Sequence, residues 1–256
     1  MASLLLYGAM TLLLVDSVIE LGFIVTTVGW LHGTAGRYGF LINYQGDQFL
    51  LAGKPLNLLG DQGHTANGAA GTNIVVICVG GALALFLRHR QLKRRGGISG
   101  FSAFLYNFWL WMTAITAVFT VAAFVYVFVE TYRHTGQSID VQFASQLGNT
   151  AKPPHVPYPR DAWTPQNWYP AVLDLDLATS GDRSDIVTHL KIMKGWQWNL
   201  IPMMILNIVV AALAFMDRMR HKQDVNRSNG NQTAYEFTNY AKVPSGSKIH
   251  LTGPAS

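Results

Sequence analysis

Asp16 and Glu20 are the two residues of this chain whose type and setting could do chemistry. Four positions apart, they share one face of a helix. They lie inside an apolar run, Leu4 to Leu31, in which any window of about 20 residues keeps both at membrane depth. A charged acid there costs at least about 2.5–3.5 kcal/mol at the helix centre on insertion scales, so such acids normally face a bundle interior, protonated or paired. Two uses follow. One is a proton- or cation-coupling site; the other is a pair bonded to Asn107, Thr113, Thr116 or Asn207 that fixes how the helices pack. No Lys or Arg lies within an apolar run to neutralise them.

Other combinations are weaker. Glu130 and Arg133 are placed to pair at the end of an apolar run, and Glu130, His134 and His32 can be drawn as a metal site, although their spacing does not ask for one. No hydrolase triad, phosphate loop, HExxH sequence or haem and quinone arrangement rises above chance. We expect no catalytic residue, no metal and no cofactor, hence no enzyme.

The cations are organised differently. Arg88-His89-Arg90-Gln91-Leu92-Lys93-Arg94-Arg95 places five of them in eight residues between two apolar runs. Short loops rich in Lys and Arg stay cytoplasmic, so this segment reads as a cytoplasmic hinge. Arg88, Arg90, Lys93, Arg94 and Arg95 could also contact anionic lipid at about 1 kcal/mol per cation. A second positive flank, Arg218, Arg220, His221 and Lys222, agrees with the first and puts both chain ends on the cytoplasmic side.

Composition points the same way. Half of the 256 residues are hydrophobic and 13% are charged, against about 25% in soluble proteins. The net charge of +5 comes from cations in the hinge and tail, which mark membrane orientation and imply no nucleic acid. A single cysteine, Cys78, excludes an intrachain disulfide framework or a Cys-based zinc site. The N-terminal run lacks a basic leader and carries two acids, so it reads as a retained anchor.

The elements that must position these groups are four spans, at about 4–31, 73–87, 104–130 and 198–216. Outside loops occupy 33–71 and 132–195, the hinge 88–100, and a disordered cytoplasmic tail 218–256. In the first loop, the runs 38–44 and 48–51 flank Gln45-Gly46-Asp47 and predict a β-hairpin with a type II′ turn, the remainder reading as irregular. In the second, 152–159 reads as extended. Thr164-Pro165 caps a helix that Pro170 can kink, and Asp182 or Ser184 caps another that ends at Gly195. Those two helices are apolar on one face and predict an outer cap. Gly80 and Ala84 form a small-residue face for close helix packing. Trp109 and Trp111 at one end, and Trp196 and Trp198 at the other, read as interfacial belts, with Pro202 in the first turn of the last span.

The stretch Ala162 to Leu175, followed by Gly195-Trp196-Gln197-Trp198-Asn199-Leu200-Ile201-Pro202, resembles predicted four-span membrane proteins of filamentous fungi. The resemblance implies a fungal source and the four-span layout, and carries no activity. In size and span count the chain is also similar to claudin-type and tetraspanin-type proteins. With one cysteine it departs from the disulfide-bearing outer loop of both.

The expected fold is therefore an all-α four-transmembrane-helix bundle, with a small β-hairpin in the first outside loop and short helices in the second. The expected role is a non-enzymatic membrane organiser or interaction subunit, with membrane lipids and other membrane proteins or its own copies as partners. The plasma membrane is favoured. The alternative is a small proton- or cation-coupled transporter or channel using Asp16 and Glu20.

Overall fold

The computed structural model describes residues 2–93, 100–147 and 162–241, with side chains for all of these except 2–3, 92–93 and 224–241. Arg94, Arg95 and the 152–159 stretch lie outside the described residues, as does the chain after Ala241.

Four helices are long and apolar enough to cross a membrane, within Leu4–Tyr38, Asp61–Gln91, Gly100–Arg133 and Ser180–Gln223. The first is α1 (Ala2–Trp30), extended by a π-helical turn (Leu31–Ala35) and the short α2 (Gly36–Tyr38). The second is α3 (Asp61–Thr72), a π-helical stretch (Asn73–Val79) and α4 (Gly80–Lys93); the third is α5 (Gly100–Arg133). After α6 (Val141–Leu147) and α7 (Pro165–Leu173), α8 (Ser180–Ala241) forms the fourth. It packs along both α1 and α5. The chain is a membrane protein built as a four-helix bundle with a two-stranded hairpin.

Large apolar side chains cover the outer faces, among them Val25, Val75, Phe104, Val118 and Ile205. Outward-facing apolar groups suit a bilayer, where lipid replaces water as the solvent.

Several boundaries differ from the sequence expectation. Residues 61–71, expected as loop, are helical, because Ala66, Ala69 and Ala70 are fully buried and small residues let helices approach closely. Gly195 does not end a helix. It lies inside α8, where a Cβ would meet the Phe23 ring at 3.4 Å, so the gap left by its missing side chain seats an aromatic from α1. Because α8 begins at Ser180, Pro202 is mid-helix and removes one backbone donor there, which membrane helices tolerate. The close approach expected at Gly80 occurs at Gly81, where a Cβ would sit 2.6 Å from Met10 and 2.7 Å from the Trp109 ring. Trp109 is accordingly buried, its indole N–H donating to the Ile77 carbonyl at 3.2 Å, and only Trp111 faces outward. Trp196 is likewise buried, leaving Trp198 as the exposed ring. The tail expected as disordered is helical in its backbone from 218 through Ala241.

At the loop end, β1 (Phe40–Tyr44) pairs antiparallel with β2 (Asp47–Leu51) in a register that sets Phe40 opposite Leu51 and Tyr44 opposite Asp47. The turn is type I′ and not the expected II′: both Gln45 and Gly46 have positive φ, 53° and 87°. Phe40, Ile42, Phe49 and Leu51 point inward, as alternation requires. Residues 176–178 run beside β1, with Asn43 N donating to the Asp176 carbonyl at 2.8 Å and Ala178 N to the Leu41 carbonyl at 2.9 Å.

The helix α7 starts where Thr164-Pro165 predicts, and buries Trp168, Tyr169 and Val172 completely. Trp168 and Tyr169 both donate to the Gly53 carbonyl, at 3.2 and 3.1 Å. Only glycine fits at position 53, since a Cβ there would lie 1.6 Å from the Ala35 carbonyl oxygen. Hairpin, α7 and the helix ends thus form one packed cap.

Candidate functional site

Asp16 and Glu20 lie on the face of α1 that meets α8. Glu20 is fully buried and Asp16 half-buried. Of the partners expected for them, Asn107 lines the cavity at the hinge end and the other three are engaged elsewhere. Thr113 and Thr116 bond back to their own helix, and Asn207 donates to Thr120 Oγ1 at 2.9 Å and to Asn73 Oδ1. The residue from α8 that approaches the acids is Asn199. It lies beside Glu20 without the geometry of a hydrogen bond to it, and donates to the Asp16 carbonyl at 3.3 Å. Both Glu20 oxygens, Asp16 Oδ2 and Ser17 Oγ have no hydrogen-bond partner among the described residues.

The bundle therefore holds two polar levels. On α8, Asn199 and Asn207 are eight residues apart, about 12 Å at 1.5 Å per residue. The Asn207 level joins three spans, since Asn73 opens the π-helical stretch, Thr120 belongs to α5 and Asn207 to α8. π turns are often found at functional sites. Sequence reasoning named Asn207 only as a partner for the acids; its pairing with Asn73 depends on helix rotation, which periodicity alone does not fix.

Glu130 and Arg133 pair as expected, at 3.3 Å, and His134 Nδ1 lies 3.9 Å from the same carboxylate. Among the described residues no group of three or more His, Cys, Asp or Glu side chains is placed to hold a metal ion.

Among the described residues a cavity opens at each end of the bundle, and neither is lined by Asp16 or Glu20. One, of about 610 Å³, opens at the loop end between Ile24, Val28 and Leu31 of the first helix and Leu56 and Leu58 of the following loop, with Lys54 and Trp196 at its walls. No local pattern announces it, because it is formed by a loop with no period folding against α1. The other, of about 190 Å³, lies at the hinge end.

At that end Arg88 is held in place and does not project freely. It pairs with Asp217 Oδ2 at 2.8 Å, stacks over the Tyr106 ring at 4.3 Å, and is only 11% exposed. Tyr106 donates its hydroxyl to the same Asp217 oxygen at 3.1 Å. Arg90 is exposed, and the side chains of Lys93, Arg94 and Arg95 lie outside what is described.

Comparison with known proteins finds no matching family model, no matching curated protein and no matching solved structure.

Proposed function

We propose that this chain is a non-enzymatic integral membrane organiser or accessory subunit, whose partners are membrane lipids and other membrane proteins or further copies of itself. The observation that carries this reading is the 610 Å³ apolar groove left open beside the packed cap. Exposed apolar surface outside the bilayer, rimmed by polar groups, marks interaction sites, and here Leu56 of the loop that follows the hairpin, 54% exposed, borders the groove. A photo-crosslinking residue at Leu56 in native membranes should capture discrete protein adducts that one at Val118, on α5, does not. Lipid adducts alone at both positions would sink the reading.

The hinge and both chain ends belong on the cytoplasmic side in this proposal, with the plasma membrane as the site and a fungus as the source. The support is the cationic flank after each of the second and fourth spans. Asn226 and Asn231 head N-x-S/T sequons, which stay unmodified in the cytoplasm. A glycosidase-sensitive mass on the tail in the native host would reverse the orientation.

A second reading, a small proton- or cation-coupled transporter or channel, is favoured by one observation: the buried, unpartnered oxygens of Glu20 beside those of Asp16. Acids at membrane depth mark ion pathways in many transporters. In reconstituted liposomes this reading requires a proton- or cation-dependent flux that Asp16→Asn with Glu20→Gln abolishes.

A further inference from the structure

We propose that the 190 Å³ cavity at the hinge end binds a terminal phosphoryl group, presented by a lipid headgroup. Its walls come from α4, α5 and α8, so the site exists only in the assembled bundle. Arg88 supplies a wall but little free charge, because Asp217 neutralises it. The unbalanced charges are Arg218 and Lys222, one turn apart on α8, and neither forms an ion pair among the described residues.

The first turn of α5 lines the same cavity. The first N–H groups of a helix have no partner within it and carry partial positive charge, a setting that receives anions. Ser102 lies in that turn and lines the cavity, 2% exposed, with no hydrogen-bond partner for its hydroxyl among the described residues. A buried hydroxyl without a partner is uncommon, and here it borders a space walled by uncompensated cations.

Asn107 adds an amide to the same wall. Planar guanidinium, ammonium, hydroxyl and amide donors around one small space match an anion with several oxygens, and Arg recognises phosphate through paired N–H donors. A volume of 190 Å³ is below the roughly 300–1,000 Å³ of whole small-molecule sites, which suits a headgroup.

The position favours a lipid as its source. Phe104, Phe108 and Met219 are exposed beside the cavity's own helical turns, so apolar surface gives way to cationic surface at this level. Basic pockets between spans, at headgroup depth, bind phosphorylated lipids.

The test uses the full chain in nanodiscs of phosphatidylcholine containing either phosphatidic acid, which ends in a phosphomonoester, or phosphatidylserine. Lipid retained on release is counted by native mass spectrometry. Phosphatidic acid should be retained over phosphatidylserine. Arg218→Gln and Lys222→Gln should each lower retention about fivefold, the effect of one cation near the surface, and Ser102→Ala should lower it without changing charge. Arg90→Gln, an exposed hinge cation that does not line the cavity, should lower retention of both lipids alike, by less than Arg218→Gln does, and leave the preference for phosphatidic acid intact. The wild-type comparison of the two lipids stands even where a variant fails to fold. Equal retention of both lipids, or equal losses from Arg90→Gln and Arg218→Gln, would mean diffuse charge attraction and overturn the proposal. Inorganic phosphate that displaces phosphatidic acid only at concentrations far above the lipid's supports the lipid source; displacement at equal concentration overturns it in favour of soluble phosphate.

Discussion

Trp30 donates its indole N–H to Asp185 Oδ2 at 2.6 Å, joining the last turn of the first span to the start of α8 across 155 positions of sequence. Its ring stacks on His189 at 4.4 Å and meets Tyr169 of α7 at 4.8 Å, so one side chain ties α1, α7 and α8 together.

Trp30→Phe should therefore loosen the cap while sparing the bundle. The variant keeps most of the ring and loses the donor to a charged group, at about 1.5–3 kcal/mol for a well-formed bond of this kind. Hydrogen exchange in detergent should accelerate over 165–173 and stay unchanged over 104–130. Uniform acceleration in both segments would mean that cap and bundle unfold together.

The Asn73–Asn207–Thr120 cluster should behave as a unit. Interhelical polar contacts in membranes contribute about 0.6–2 kcal/mol each, and removing one partner strands the other in the interior. Asn207→Ala and Asn73→Ala should each destabilise by about that amount. The double variant should cost less than the sum, because residues in one hydrogen-bond network couple. Strict additivity in thermal unfolding would show that the two amides act independently.

Tyr169 gives the cap an alkaline limit. Complete burial pushes its phenol well above the ordinary tyrosine value of 10.0. The folded cap then keeps its proton at pH values where the unfolded chain loses one. Below about pH 10 both states are protonated and stability is complete; above it, stability falls with rising pH. Tyr169→Phe gives up the bond to the Gly53 carbonyl, about 0.5–1.5 kcal/mol at neutral pH. It should lose less stability than wild type between pH 10 and 11. Parallel loss in both proteins, followed by tryptophan fluorescence, would assign the alkaline transition to other groups.

How far the sequence could be read depended on whether a feature was local. The hairpin over 40–51 and the start of α7 at Pro165 were legible, because alternation, turn residues and an N1 proline act within a few residues. The turn type was not, because Gln45 as well as Gly46 takes positive φ. Residues 61–71 and Gly195 run against local expectation because glycine weakens an isolated helix, whereas between packed helices the small bulk of glycine and alanine admits a neighbour. Of the candidate site, the shared face of Asp16 and Glu20 followed from spacing. That Asn199 meets them, and Asn207 does not, follows from the rotation of α8 against α1, to which no short sequence pattern corresponds.

Glu20 provides the sharpest stability test of whether the site is built for packing. A buried polar group without a partner costs about 1–3 kcal/mol, and replacing it by an apolar group of similar shape can be stabilising. Met is unbranched and adapts to irregular space, so Glu20→Met should raise the thermal midpoint in detergent, whereas Glu20→Gln, which stays polar, should change it little. A gain of stability in Glu20→Met with crosslinking at Leu56 preserved would fit an organiser in which the acid is dispensable. The same gain accompanied by loss of a proton- or cation-dependent flux would identify Glu20 as a group kept for transport at the expense of stability, and the organiser reading would fall. A drop of more than about 1 kcal/mol in Glu20→Met would contradict the unpartnered state of its oxygens, because removing a group without partners cannot break a bond.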